Sequence, residues 1–188
     1  MVSGKQTVFR LEKRDSIDNL QSSQEPIPEI DGHEVLVRVR SVTLNFRDLA
    51  IATGKYPAPV KESVVPCSDA AGEVVKVGKH VLNLKEGDYV VGNFDVSNLY
   101  GPQQNMNNSL GGPLDGALRQ YIALPEIVLT RIPKSTSMNF LQMAALVCTG
   151  VTAWNALYGN NPLKPGQVVL FQGIPPLNSP FFLRVSCG

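Results

Sequence analysis

Between His33 and Thr43, apolar and charged side chains alternate: Val35, Val37 and Val39 fall on one face, Leu36, Arg38 and Arg40 on the other. That period of two predicts a half-buried strand in an antiparallel barrel or sandwich. Residues 6–12 (QTVFRLE) alternate well enough for a first strand. The stretch from Lys13 to Gly32 is polar, carries Pro26 and Pro28, and reads as a surface connection. Asn45 is expected to cap a short helix, with Asp48 returning the bond and Gly54 ending the helix at C′. KYPAPVKESVVP, with three prolines, is a loop. EVVKVG and YVVGNF are strands joined by a Lys-Glu-Gly-Asp turn, a hairpin or corner of the same sheet. Residues 95–116, rich in Asn, Gly and Gln, are expected to form a mobile surface loop. Strands follow at Gln120–Ala123 and Ile127–Ile132. Ser135, Thr136 and Ser137 offer N-caps for an apolar helical stretch over 138–158, which Gly150 breaks in two. VVLFQG, residues 168–173, is a short apolar strand.

Composition narrows the classes. The 188 residues suffice for one domain with a proper core and part of a second. A hydrophobic share of 43% with 18% charged residues is ordinary for a globular protein. A net charge of +1 gives no field that would favour nucleic acid or a membrane surface. No apolar run approaches the ~20 residues of a bilayer span, and the N-terminus lacks a signal peptide's apolar region. Cys67, Cys148 and Cys187 are odd in number and far apart, which suits a reducing cytoplasm.

The segment Leu44-Asn45-Phe46-Arg47-Asp48-Leu49 is flanked by VLVRVRSVTL and ATGKYPAPV, then by VVPCSDAAGEVVKVGK and NLKEGDYVVGNF. In order and residue type it resembles the catalytic domain of the medium-chain dehydrogenase/reductase family, in its zinc-independent, quinone-oxidoreductase-like branch. The resemblance covers residues 8–173. It implies a mainly β fold with short helices: a GroES-like, partly open β-barrel, followed by the first strand of a Rossmann domain. It also implies an NAD(P)H-dependent oxidoreductase delivering hydride to a quinone, enone or other carbonyl, with NADPH or NADH as cofactor. The zinc-dependent branch uses Cys, His and Cys ligands with an acidic residue beside the His. The matching positions here are Asn45, Ser68 with Asp69, and Cys148. One thiolate remains where a tetrahedral site needs three protein ligands, and the loop at 95–116 has no cysteine for a structural site, so no metal is expected.

Without zinc, hydrogen-bond donors or charge must polarise the acceptor. Asn45, Arg47, Tyr56 and Ser68 are the catalytic candidates, since the motifs carrying them line the cleft in similar proteins. Asn93, Phe94, Thr149 and Thr152 lie where the resemblance brings the nicotinamide, and Gly173 opens the expected pyrophosphate turn. Plainer roles stand beside these. Asn45 is a helix cap, Arg47 and Asp48 form an ion pair, and Tyr56 packs at a turn. Phe94 is core, Thr152 is a satisfied polar residue within its helix, and Cys148 is a small buried hydrophobe. His33 and His80 read as solitary.

After Gly173 the resemblance stops. Pro175, Pro176 and Pro180 oppose a helix there, and residues 174–188 are too few for a βαβ unit of about 30 residues. The expected organisation is a catalytic domain over 1–135, a helical connection and orphan strand over 136–173, and a divergent tail over 174–188. An alternative transcript end and a natural truncation both remain open as causes. A second functional reading follows: a truncated, catalytically silent module that holds no cofactor and acts by binding a partner. Apolar surface at Ala144–Val151 and Val168–Phe171 would then favour self-association. The other partner expected is a small-molecule substrate, with no nucleic acid or membrane.

Overall fold

The computed structural model describes residues 4–103, 105–170 and 182–184. Its elements are β1 (Lys5–Leu11), β2 (Leu20–Pro26), β3 (Glu34–Thr43), α1 (Phe46–Ala52), β4 (Asp69–Val77) and β5 (Tyr89–Gly92). Then come β6 (Tyr121–Pro125), β7 (Leu129–Ile132), α2 (Phe140–Ala145), α3 (Val151–Tyr158), β8 (Val168–Leu170) and β9 (Phe182–Arg184). The chain divides into two compact units, residues 1–150 and 151–188.

In the first unit, five antiparallel strands form an open sheet in the order β6-β3-β4-β5-β7. Its edge strands do not pair with each other, so the sheet is open, in keeping with the partly open barrel expected. β3, the clearest strand in the sequence, sits inside this sheet. Val35 and Val37 point into the main core with Val74, Val90, Leu110, Ile122 and Val128. Leu36 is buried on the opposite face, where alternation alone predicts a half-exposed surface.

Two segments depart from their sequence reading. Leu20–Pro26, expected as a surface connection, pairs with β1 as an antiparallel ribbon in register from Leu11↔Leu20 to Lys5↔Pro26. Its side chains are almost all exposed. It therefore has no apolar face to mark it, and main-chain bonds to β1 define it. Residues 95–116, expected to be a mobile loop, are organised by Asp95, whose carboxylate accepts from Ser97 N–H at 2.8 Å and Gln103 Nε2 at 3.0 Å. Bridges Asp95↔Ser109 and Leu110↔Leu114 fold the segment back, and Leu110 joins the core.

The helices follow local chemistry. Asn45 is extended at the start of α1 and its N–H donates to Asp48 Oδ2 at 2.8 Å. Gly54 ends the helix at φ +68°, a left-handed conformation that favours glycine. α2 starts later than Ser135–Ser137 suggest. Asn139 and Gln142 have the spacing for reciprocal bonds: Gln142 N–H donates to Asn139 Oδ1 and Asn139 N–H to Gln142 Oε1, both at 3.0 Å. Thr136 only takes the Met138 N–H. α2 packs on β3 and β4, burying Met143 and Ala144 against Ala71, so the first unit extends past residue 135 to Gly150.

α2 passes through a π-helical turn, Leu146–Gly150, into α3. Gly150 thus marks a change of helical winding where the sequence suggested a break. The whole stretch Phe140–Tyr158 is a 19-residue helical segment, long and apolar enough by length and composition to cross a membrane. In the sequence Gln142, Thr149 and Asn155 interrupt that run, but no charge does. In the second unit, β8 pairs antiparallel with β9, from Val168↔Arg184 to Leu170↔Phe182.

Candidate functional site

Two polar clusters flank α1. The first centres on Asp69, the first residue of β4, whose side chain has no solvent exposure. Ser68 Oγ donates to Asp69 Oδ1 at 2.6 Å. Asp69 Oδ2 accepts from Asn45 Nδ2 at 3.0 Å and from the main-chain N–H of Cys148 at 3.1 Å. Residues 24 and 79 positions away from Asp69 thus converge on one carboxylate. Asp48 lies beside it, its second oxygen taking the Cys67 N–H at 3.2 Å. Burial raises the Asp48 carboxyl above its usual range, more than these N–H bonds and the Arg47 charge lower it. Cys67 is fully buried with a left-handed φ of 68°. Burial, then Asp48 and Asp69, push its thiol far up, so it is not a thiolate at neutral pH.

The second cluster centres on Arg47. Its guanidinium lies between two aromatic faces, 5.0 Å from the Tyr56 centroid and 4.8 Å from that of Phe94. Nε donates to Tyr56 Oη at 3.1 Å, Nη1 to the Leu110 carbonyl at 2.7 Å, and Nη2 to Ser109 Oγ at 3.0 Å. A Cβ on Gly112 would collide with Nη2, so glycine is what lets loop and guanidinium meet. The expected Arg47–Asp48 ion pair does not form: Asp48 spends both oxygens on N–H groups, and Arg47 turns to the 109–112 loop.

Of the four catalytic candidates, Asn45 and Ser68 therefore meet at Asp69, while Arg47 and Tyr56 meet at the loop. Ser68 has its hydroxyl proton committed to Asp69, and Tyr56 Oη contacts Met106 Sδ at 3.7 Å. Among the cofactor candidates, Phe94 stacks under Arg47 and Asn93 bonds the Val128 carbonyl through its main chain. Thr149 Oγ1 donates back to Ala145 O at 2.6 Å within the π turn. Thr152 belongs to the second unit, and Gly173 lies outside the described residues. His33 and His80 are not solitary; their ring centroids are 4.9 Å apart. Sequence reasoning passed over Ser109, Leu110 and Met106, and saw Asp69 only as a neighbour of Ser68.

The donor sets can be tested against the groups such a fold suggests. At the positions matching a zinc site, Asp69 already accepts three hydrogen bonds, and Asn45 and Ser68 are two of the donors. No group of three His, Cys, Asp or Glu side chains is gathered among the described residues. Tetrahedral zinc does not fit this donor set. A dinucleotide's pyrophosphate calls for a strand running into a helix N-terminus. The residues that would lead from β8 into such a turn, Gly173 among them, lie outside the described residues.

An open antiparallel sheet with short capped helices and a polar cluster at the first helix N-terminus is the arrangement of a GroES-like domain. The comparisons give the family. Residues 31–134 match the alcohol dehydrogenase GroES-like domain, and the chain belongs to that family, within the medium-chain dehydrogenase/reductases. It is 40% identical over 161 residues to a zinc-type alcohol dehydrogenase-like protein of Schizosaccharomyces pombe, covering 83% of this chain and 46% of that protein. It is 38% identical to the chloroplastic NADPH-dependent alkenal/one oxidoreductase of Arabidopsis thaliana, covering 64% and 28%. The quinone oxidoreductase of Pseudomonas syringae superposes with a TM-score of 0.67 at 25% identity, covering 86% of this chain and 43% of that one. The chain thus spans about half the length of the relatives it matches, or less.

Proposed function

We propose that this chain supplies the acceptor-side half of a zinc-independent, NAD(P)H-dependent oxidoreductase acting on a quinone, enone or similar carbonyl. The observation that carries this reading is the Asp69 cluster. Two of the three positions that would hold a metal carry instead an amide, Asn45, and a hydroxyl, Ser68, both already bonded to the Asp69 carboxylate. Asn45 Nδ2 gives one proton to Asp69, and its second N–H has no other partner among the described residues. That N–H is the donor this reading aims at the acceptor carbonyl, where it polarises the bond. The names of the relatives, an alkenal/one oxidoreductase and a quinone oxidoreductase, support the substrate class. The setting under this reading is the reducing cytoplasm.

Thermal melts of the chain with NADPH and, separately, with an enone test it. A ligand at a hundredfold over its Kd adds about 2.7 kcal/mol, a shift of roughly 5–10 °C for a chain of this size. A shift with the enone supports the acceptor half, and a shift with NADPH adds a working cofactor site. A cooperative melt unmoved by either ligand leaves the silent partner-binding module.

We also infer self-association through apolar surface: Ala144 and Val147 of the expected stretch are buried, whereas Val151, Trp154 and Tyr158 of α3 are exposed and Trp154 and Tyr158 contact each other. Sedimentation of the chain should show a concentration-dependent mass that Trp154→Ser abolishes. A single monomer at every concentration sinks this idea.

A further inference from the structure

In a regular α-helix the Cys148 N–H would bond the carbonyl four residues back, that of Ala144. Here it bonds Asp69 Oδ2, a side chain from the neighbouring strand, and the helix is π-wound over Leu146–Gly150. A side chain inserted into the helical ladder and a π turn are both recognised places where a helix departs from regular winding, and single π turns recur at functional sites. The same oxygen holds the Asn45 amide. Two donors from two elements therefore share one acceptor atom. A carboxylate buried to this degree has no water with which to exchange them. Ser68 fixes the rotation of the carboxylate by holding the other oxygen. Moving Asn45 must alter what is left for Cys148.

We propose that Asp69 is the positioning residue of this site: through the shared Oδ2 it orients the Asn45 amide and the π turn as one unit. The turn carries Cys148 and Thr149 and lies where the chain leaves its first compact unit. A change at Asn45 is thereby felt at residue 148 without moving the sheet. The catalytic meaning of this coupling rests on the reading of Asn45 as the acceptor's donor; the coupling itself does not.

The test uses the isotopically labelled chain and reads amide exchange and nitrogen and proton shifts, with Val37 and Val74 as controls for the fold. In Asp69→Ala, Cys148 exchange should accelerate by about tenfold or more while the controls hold. In Asn45→Ala, which leaves Asp69 in place, the Cys148 amide resonance should move downfield and its exchange slow, because Oδ2 then serves one donor fewer. A merely structural Asp69 would not transmit that second change. The proposal is overturned if Asn45→Ala leaves the Cys148 resonance where it was. It is equally overturned if a folded Asp69→Ala exchanges within about twofold of the parent. Should Asp69→Ala fail to fold, Asn45→Ala carries the decision alone. No turnover is read, so failure of the oxidoreductase reading would leave this result standing.

Discussion

The two clusters on α1 satisfy charge in opposite ways. Asp69 is an anion fully removed from solvent and held by three directed hydrogen bonds from neutral donors, with no cation within ion-pair distance among the described residues. Arg47 is a half-buried cation held by two aromatic faces, a carbonyl and two hydroxyls, with no carboxylate bonded to it. A carboxylate concentrates its charge on two atoms, so a few N–H and O–H groups can replace its hydration. A guanidinium spreads its charge over a plane and is weakly hydrated, so ring faces serve it. The difference teaches where each cluster is fragile. The anion depends on every donor, and the cation depends on the shape of its slot.

Removing the anion should have the largest effect. Asp69→Ala leaves the Asn45 amide, the Ser68 hydroxyl and the Cys148 N–H without their acceptor in a buried place, at a cost of about 3–4 kcal/mol. Urea unfolding measures it, and a loss under about 1 kcal/mol would mean that water replaces the carboxylate. Arg47→Ala should cost less, about 2 kcal/mol, because the Ser109 and Tyr56 hydroxyls can turn to other partners. Equal losses for the two variants would erase the comparison. Gly112→Ala attacks the slot and leaves the charge intact. Since the crowded atom is the tip of a flexible side chain, the expected loss is about 1–2 kcal/mol. A Gly112→Ala, Arg47→Ala double variant should then be no worse than Arg47→Ala alone, and simple additivity would count against the slot.

The smallest effect is a pH signature at Asp48. Its folded carboxyl titrates higher than its unfolded one, chiefly through burial. The folded state therefore holds the proton more tightly, and stability falls as pH rises from the unfolded value through the folded one. Asp48→Asn removes that dependence. The variant should be more damaging below the usual aspartate range than at neutral pH, because only at neutral pH does the parent bear the cost of a buried charge. Equal damage at both ends of the pH range would show that Asp48 is as well solvated folded as unfolded.

Much of this architecture is legible from local pattern. The alternation at Val35, Val37 and Val39 marks the interior strand β3, Asn45 and Asp48 mark the helix start, and Gly54 marks its end. β2 was not legible, because an edge strand exposed along nearly its whole length carries no apolar period. The π turn was not legible either, since the carboxylate that takes its Cys148 N–H lies 79 positions earlier. Arg47 looked like half of an ion pair because Asp48 is its neighbour. On a helix, however, consecutive residues point in different directions.

The sequence by itself determined the strand β3, the start and end of α1 and the family, and through that family resemblance that Asn45, Ser68 and Cys148 stand where metal ligands would. Those features are written over a few residues, or in residue type at a given position. Only the tertiary structure decided that Asp69 gathers three of them and that Arg47 belongs to the 109–112 loop. It also decided that Cys67 is buried beyond reaction. Each of those outcomes depends on which distant groups are brought within about 3 Å of one another, where a hydrogen bond has its strength. Chain folding sets that distance, and no local pattern records it.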